Sequence, residues 1–294
     1  MFKYFWILTL TFLIHITSFC QPQKELLTDS YEKKDTIQLQ KFFKNWSNEI
    51  KPINDSEYSK LTDVQKDVYD VFYEFYNPVD LSRMNLENVE YDFYKGVKYL
   101  IIKNQIKYNF IKTLDKKEIV TEELLKRDDK TRSISSLLTD TGLINEIYDR
   151  IFVVDFYEIL KYYNEDSILN FHPRFSIDVI KPLILLSSYE KIINGFLGNE
   201  FIPLGANNIM QPAYATGESL EKIKFLRNYI MIMRSHWGDY WEILSSPKVR
   251  LITFDELRDN AMVYYEFPWH AGRTFMSKIN GKWTFIYDRL TLMW

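Results

Sequence analysis

The spacing of apolar residues predicts two amphipathic helices near the start of the chain. The first runs over Leu39–Ile50 and is stopped by Pro52, because its apolar positions recur every three or four residues. The second begins at a capping box formed by Thr62 and Gln65 and is stopped by Pro78. Its apolar face is predicted to consist of Val64, Val68, Val71, Phe72 and Phe75. These two segments form a predicted N-terminal helical pair.

The apolar period then changes from helical to alternating, which predicts strands. Alternation over Val97–Ile101 and Ile106–Phe110 predicts a β-hairpin with its turn at Lys103–Gln105. The charge-rich stretch 115–132 is predicted to be a solvated loop. The apolar stretch 144–163 is predicted to be a helix because of its length.

The following part of the chain mixes a strand with helices. Residues 182–186 predict a short buried strand, followed by a helix with a capping box at Ser187 and Glu190 and a stop at Gly198. Residues 201–217 are rich in glycine, proline and asparagine and are predicted to be a long loop. A further helix is predicted to begin at Ser219.

The C-terminal part predicts an antiparallel meander. Asn280 and Gly281 form a typical two-residue hairpin turn between its last two strands. The predicted strands are Lys248–Phe254, Ala261–Phe267, Arg273–Ile279 and Trp283–Leu290. The predicted fold class is therefore α+β, with the helical pair and β-hairpin followed by a meander packed on helices.

The first twenty residues have the layout of a secretory signal peptide. Lys3 precedes an apolar run over Tyr4–Phe19, and the chain turns polar directly after Cys20. We expect cleavage after Cys20, with Ser18 as the second small residue of the cleavage site. The alternatives are an uncleaved anchor and lipidation of Cys20, since Thr17–Cys20 resembles a lipobox from which Phe19 departs.

This start predicts export to the periplasm or surface of a bacterial cell, with no transmembrane span after cleavage. The predicted organisation is a signal peptide (1–20), a polar linker (21–34), an N-terminal α+β region (35–165) and a C-terminal α+β domain (166–294). The polar run 164–167 indicates the boundary between the last two.

Charge and cysteine content exclude several classes of site. The formal net charge is −3, and −4 once Lys3 is removed, which indicates no binding of nucleic acid or anionic lipid. Cys20 is the only cysteine, so disulfides, thiolate metal sites and cysteine nucleophiles are excluded downstream. Aromatic residues make up 17% of the chain, which is typical of a well-filled core or of a surface that stacks on ligands.

The densest unusual cluster lies at residues 236–241. As a functional site, His236 would act as a general base oriented by Asp239, and Trp237 and Trp241 would form a platform for a sugar or another flat ligand. Tyr240 belongs to the same candidate binding set. As a structural feature, the cluster would end a helix and anchor it against the meander through the two tryptophans.

A second candidate lies between two predicted strands. Trp269 and His270 would be exposed at a hairpin tip and would contact a ligand or partner there. The alternative is that Trp269 folds back over the sheet edge.

No cofactor or metal site is predicted. The histidines that follow the signal, His172, His236 and His270, do not have the spacing of a helical metal pair. The sequence also contains no Gly-x-Ser-x-Gly elbow and no glycine-rich phosphate loop.

Two parts of the chain resemble known groups of proteins. Asp259–Tyr265, Gly272 and Lys278–Phe285 resemble the final hairpin of nuclear transport factor 2-like domains. That resemblance implies a curved sheet folded around helices to form a cone-shaped cavity. Ser235–Trp241 and Gly205–Met210, together with the C-terminal hairpin, resemble secreted bacterial proteins of unknown function over most of residues 180–294. The second resemblance implies no activity.

The favoured hypothesis is a non-enzymatic envelope protein that binds a small ligand or another envelope protein. The alternatives are an envelope hydrolase that acts on glycan or peptide through His236 and Asp239, and an immunity-type or structural interaction protein. Whether the chain is an enzyme stays open at this point.

Overall fold

The structure is a computed structural model, and its elements confirm the α+β class. It describes residues 21–78, 80–84, 94, 96–111, 166–175, 180–199, 201–204, 207–210, 217–234, 241–268 and 270–293. The described helices are α1 (21–32), α2 (Thr36–Glu49), α3 (Asp55–Ser59), α4 (Asp63–Phe75), α5 (Ser187–Leu197) and α6 (Gly217–Leu226). The described strands are β1 (Tyr99–Lys103), β2 (Gln105–Ile111), β3 (Asp166–Leu169), β4 (Lys181–Leu185), β5 (Phe201–Leu204), β6 (Asn207–Met210), β7 (Met233–Arg234), β8 (Trp241–Glu242), β9 (Lys248–Asp255), β10 (Asn260–Glu266), β11 (His270–Ile279) and β12 (Lys282–Met293).

The chain forms two compact units that each draw on separate stretches of sequence. Unit 1 comprises Met1–Asn54, Tyr91–Asn104 and Asn170–Lys248. Unit 2 comprises Asp55–Glu90, Gln105–Leu169 and Val249–Trp294. The predicted boundary at 164–167 overlaps the stretch 112–165, which lies outside the described residues, and the division into regions 35–165 and 166–294 stays a prediction.

Unit 1 has an aromatic core around helix α2. Trp46 stacks on Tyr189 of α5 with ring centroids 4.6 Å apart, and its indole N–H donates to the carbonyl oxygen of Ile184 at 2.8 Å. Phe43 stacks on Tyr229, with centroids 5.0 Å apart. The high aromatic content is therefore used here as core filling, with offset rings in contact.

Residues 21–32 are helical, and the prediction of a polar linker over 21–34 is wrong for this stretch. Leu27 and Ser30 are completely buried, and Gln23 is 8% exposed. Positions 23, 27 and 30 follow helical spacing, so one face of α1 packs inward although most of its residues are polar. The buried face of α1 is short, and the charged residues on its other side make the stretch look like a polar linker in the sequence.

The two helices predicted near the start of the chain are confirmed. Helix α2 spans Thr36–Glu49, with Asp35 accepting from two backbone N–H groups at its start. Helix α4 begins after Thr62, and Thr62 and Gln65 form the predicted reciprocal capping box.

Helix α5 is confirmed, but its predicted capping box is wrong. Leu186 is the N-cap residue, and among the described residues no side chain caps the start of this helix. Ser187 is therefore already inside the helix, where its hydroxyl cannot cap the first turn. The predicted stop is confirmed, because Gly198 adopts φ 82° and closes the helix in the left-handed conformation.

The predicted β-hairpin between β1 and β2 is wrong. Strand β1 pairs in parallel with β4, the confirmed buried strand, with Ile101 opposite Leu183. Strand β2 pairs antiparallel with β3 and in parallel with β9. Asn104 alone separates β1 from β2, which is shorter than the two-residue loop of a tight hairpin. The continuous buried run Leu100–Ile102 is typical of a parallel strand.

The predicted loop 201–217 also contains regular structure. Strands β5 and β6 pair antiparallel, with Phe201 opposite Met210 and Leu204 opposite Asn207. Helix α6 then begins at Gly217, close to the predicted start at Ser219. Pro203 lies opposite Asn208 in this two-stranded sheet. Among the described strands, none pairs with the other side of β5, and proline is tolerated in such an edge strand.

Unit 2 is built on a six-stranded sheet with the order β12-β11-β10-β9-β2-β3 among the described strands. Strands β10 and β11 and strands β11 and β12 pair antiparallel, and β9 lies beside β10, as the predicted meander requires. Asn280 and Gly281 have φ values of 51° and 76°, which confirms the predicted hairpin turn. Register shifts in the β11–β12 pair add twist to this edge.

Helix α4 is tied to the sheet of unit 2 by one buried carboxylate. Asp67 accepts hydrogen bonds from the Lys278 ammonium at 2.7 Å, the Trp283 indole at 3.0 Å and the Arg258 guanidinium at 3.1 Å. Three donors compensate the loss of water around this carboxylate, so its burial is tolerated.

A second buried carboxyl links three neighbouring strands of unit 2. Asp288 on β12 accepts hydrogen bonds from the hydroxyls of Tyr265 on β10 and Thr274 on β11. Burial raises the pKa of Asp288 to about 6, although both hydrogen bonds act in the opposite direction. Burial, and then the neighbouring Asp288 carboxylate, also raises the pKa of Tyr265. Gly272 makes room for Tyr265, because a Cβ there would lie 2.2 Å from the Tyr265 hydroxyl oxygen.

Several predictions fall on residues outside the described ranges. These are the signal peptide at 1–20, the solvated loop at 115–132 and the helix at 144–163. Among the described residues, none of the helices combines the length and the apolar character that crossing a membrane requires.

Candidate functional site

The candidate site is the segment from Trp241 to Lys248 in unit 1. The segment opens with β8, which pairs with β7 through Trp241 opposite Arg234. It is then fixed to β1 by Ser245, whose backbone N–H donates to the Ile101 carbonyl at 2.8 Å and whose hydroxyl accepts from the Ile101 N–H at 2.9 Å. The segment therefore has a defined position beside β1.

Asn199 holds the backbone of Trp241 from both sides. Its side-chain oxygen accepts from the Trp241 N–H at 3.0 Å, and its side-chain nitrogen donates to the Trp241 carbonyl at 2.9 Å. The position of Asn199 follows from Gly198, whose left-handed conformation turns the chain back after α5. A primary amide can replace a strand partner in this way because it carries one donor and one acceptor side by side.

The same amide reaches a third residue, Asn194, in the last turn of α5. The Asn199 side-chain nitrogen also donates to the Asn194 side-chain oxygen, at 2.7 Å. Asn194 is 1% exposed, Asn199 4% and Trp241 6%, so the whole network is shielded from solvent. We call these three residues the Asn–Trp cluster.

Two donors of the Asn–Trp cluster have no acceptor among the described residues. They are the indole nitrogen Nε1 of Trp241 and the amide nitrogen Nδ2 of Asn194. Trp46 of the same unit differs from Trp241 in this respect, because its indole is also buried but donates to a backbone carbonyl. Buried donors are nearly always paired in native proteins, so two unpaired ones in one cluster require an explanation.

The charged groups of the segment neutralise one another. The Lys248 ammonium contacts both carboxylate oxygens of Glu242 at 2.8 Å, and both side chains are about nine-tenths buried. Tyr94 lies in the same region, and its hydroxyl accepts from the Ser246 N–H. Burial raises the pKa of Tyr94 to about 12, so its phenol is neutral at ordinary pH.

The chemistry of this arrangement is that of buried hydrogen-bond donors. The two unpaired groups are neutral donors, and the Lys248 ammonium is paired with the Glu242 carboxylate. Within the described ranges, no group of three or more His, Cys, Asp or Glu side chains is placed to hold a metal ion. What the cluster offers is hydrogen bonding to an oxygen acceptor in a buried setting.

The structure describes two of the site residues predicted from the sequence. Trp241 is a buried member of the unit 1 core. His270 lies at the start of β11 in unit 2, where it is half-buried and where burial lowers its pKa. The candidates outside the described residues are His236, Trp237, Asp239, Tyr240 and Trp269.

Sequence reasoning missed Asn194 and Asn199. One signal was available, since Asn199 directly follows the glycine that ends α5 and so stands where the chain turns back toward the core. Asn194 is polar on a helix face that otherwise carries Ile193 and Leu197. A polar residue on an apolar helix face is a reasonable indication of a buried network.

Comparisons of the chain with protein-family models, with curated proteins and with solved structures found no match.

Proposed function

We propose that this chain is an exported, non-enzymatic binding protein of the bacterial envelope, and that it holds a neutral, oxygen-bearing ligand at the Asn–Trp cluster. The observation that carries the proposal is the pair of buried, unpaired donors on Trp241 and Asn194. The layout of residues 1–20 supports the exported part of the proposal.

The unpaired donors are costly unless something accepts from them. Leaving a buried donor unpaired costs about 1–3 kcal/mol, which a ligand oxygen would recover on binding. A phenylalanine in place of Trp241 would fill a similar volume without this cost, whereas a leucine in place of Asn194 would also remove the acceptor of the Asn199 side-chain nitrogen. The retention of an indole and an amide is therefore better explained by recognition than by packing.

The surroundings favour an uncharged ligand. Glu242 and Lys248 compensate each other, so the segment presents neither a net cation nor a net anion to a bound molecule. Sugars and peptides fit these requirements, because their hydroxyl and carbonyl oxygens accept hydrogen bonds and their apolar faces pack against an indole. A ligand that reaches donors this deeply placed is itself largely enclosed.

For the fold of unit 2, we propose a nuclear transport factor 2-like arrangement. Three features support it: the antiparallel pairing of β10, β11 and β12, the register shifts that twist β12, and a helix held to the sheet through Asp67. The hydrolase alternative depends on His236 and Asp239, which lie outside the described residues, and it stays a prediction, as does the immunity-type alternative.

The binding proposal is tested by nuclear magnetic resonance on residues 21–294 labelled at the tryptophan indoles. The probes are the tetramer of N-acetylglucosamine and a peptide ending in D-alanyl-D-alanine. We expect one probe to shift the Trp241 indole resonance saturably, because a new acceptor deshields this proton. The Trp46 indole is the internal control and should not move, since it is already bonded to Ile184.

Matched variants separate recognition from stability. Trp241→Phe should weaken probe binding at least tenfold while leaving the fold intact, because it removes an unpaired donor and little volume. Asn194→Leu should also weaken binding, but it should lower stability too, because it removes the oxygen that accepts from the Asn199 side-chain nitrogen. Trp46→Phe should lower stability without changing binding. If neither probe moves the Trp241 resonance, or if Trp241→Phe binds as the wild type does, the proposed site is wrong. Turnover of either probe would instead support the hydrolase alternative.

A further inference from the structure

A second pair of buried polar side chains lies in unit 2, on neighbouring strands. Strands β2 and β9 pair in parallel, with Asn109 directly opposite Thr253. Residues opposite each other in a strand pair point to the same face of the sheet, so the amide and the hydroxyl lie side by side. Asn109 is 1% exposed and Thr253 is completely buried.

All three polar atoms of this pair lack a partner among the described residues. They are the Asn109 oxygen Oδ1, the Asn109 nitrogen Nδ2 and the Thr253 oxygen Oγ1. The two side chains therefore do not satisfy each other, although their strands are adjacent. A fully buried amide with both atoms unpaired is rare in native proteins.

The next polar side chain on the same face, Asp255, has hydrogen-bond partners, so the fold can pair polar side chains in this part of the sheet. Asp255, two residues beyond Thr253, accepts from the Asp259 N–H at 2.8 Å and from the Asn260 amide nitrogen at 2.6 Å. Asn260 in turn accepts from the Ser277 hydroxyl at 2.7 Å. This network holds the β9–β10 turn, whereas the side-chain polar atoms of Asn109 and Thr253 make no such bonds among the described residues.

We propose that Asn109 and Thr253 form a second binding site, for an uncharged group that carries a hydrogen-bond donor and acceptor side by side, as a primary amide or a peptide bond does. The Asn109 amide offers the complementary pair, since its oxygen accepts and its nitrogen donates. The Thr253 hydroxyl supplies a third hydrogen bond, either as the donor or as the acceptor. Such a site rejects molecules that lack the matching donor, because the Asn109 oxygen then stays unpaired.

The test uses acetamide as the probe and acetone as the matched control, on residues 21–294 labelled with ¹⁵N. Acetone has similar size and the same carbonyl acceptor but no N–H group. We expect acetamide to shift the two Asn109 side-chain N–H resonances saturably and acetone to leave them in place. Asn109→Leu and Thr253→Val should each weaken acetamide binding at least tenfold.

Stability supplies a second readout. Both substitutions remove unpaired polar atoms at nearly constant volume, so each should raise the melting temperature, by about 2–4 °C. Ser277→Ala on the same face should lower the melting temperature and leave acetamide binding unchanged. The proposal is overturned if acetamide does not move the Asn109 resonances, if acetone moves them equally, or if Asn109→Leu and Thr253→Val both destabilise the protein. These resonances are independent of the Trp241 indole, so failure here is distinguishable from failure of the proposed function.

Discussion

The buried carboxyl of Asp288 should make folding less favourable as the pH rises from about 4 to about 6. Burial raises its pKa to about 6 from the ordinary value of 3.8, because its surroundings disfavour the charged form. The folded protein therefore holds a proton that the unfolded chain has already released in this pH range. The corresponding stability is complete below pH 4 and is lost as the pH rises through about 6.

The size of the effect follows from the difference between the two pKa values. Each pH unit between them corresponds to about 1.4 kcal/mol, which gives about 3 kcal/mol for Asp288. Asp288 is 4% exposed, so little of this value is lost to solvent screening. Asp288→Asn removes the titration and keeps the shape of the side chain, and it should gain about 3 kcal/mol relative to the wild type between pH 4 and pH 7.

The assay is urea unfolding of both proteins at several pH values and constant ionic strength, followed by circular dichroism. Only the difference between the two proteins is used, so every other titrating group, His270 included, cancels. A constant offset between the two proteins reflects the changed hydrogen bonds to Tyr265 and Thr274 and is not part of the prediction. A difference that stays flat with pH, or that favours the wild type as the pH rises, would refute this reasoning.

Three further substitutions test other parts of the structure. Gly272→Ala should destabilise unit 2 by about 1–3 kcal/mol, because the new Cβ displaces the Tyr265 ring, and chemical denaturation measures this loss. Asp67→Ala should cost about 2–3 kcal/mol, since it leaves the Trp283 indole and two partly exposed cations without their acceptor, and calorimetry should show it as a lower melting temperature. Gly198→Ala should cost about 1–2 kcal/mol through its left-handed backbone alone, because no atom lies near the added methyl, and urea unfolding checks this value.

The elements that the sequence predicts well are those with strong local signals. Helix α4 has a capping box at Thr62, and the hairpin of β11 and β12 has its turn residues at Asn280 and Gly281. Both signals act within a few residues, so neighbouring sequence is enough to find them. Element bounds in these regions differ from the predictions by only a few residues.

Strand pairing was predicted less well because partners are distant in the sequence. Strand β1 pairs with β4, and β2 pairs with β3 and β9, and more than fifty residues separate the two strands of each pair. Alternation of apolar residues indicates that a strand exists and says nothing about its neighbour. The continuous burial of the middle residues of β1 is typical of a parallel strand, but it does not identify β4 as the partner.

The site was the least predictable part for the same reason. Trp241 belongs to an aromatic cluster that is visible in the sequence, whereas its partners Asn194 and Asn199 lie more than forty residues earlier. Whether a tryptophan donor is paired depends on which backbone carbonyl lies opposite it in the fold. The sequence does not show that the Trp46 indole donates to a carbonyl whereas the Trp241 indole has no acceptor among the described residues.

The most direct test of the central claim is a high-resolution crystal structure of residues 21–294 grown with the N-acetylglucosamine tetramer or the D-alanyl-D-alanine peptide. The account predicts a ligand oxygen within hydrogen-bonding distance of Trp241 Nε1, about 2.7–3.2 Å, with Asn194 Nδ2 directed at the same molecule. A structure in which a side chain or carbonyl of the protein itself accepts from Trp241 Nε1 would contradict it.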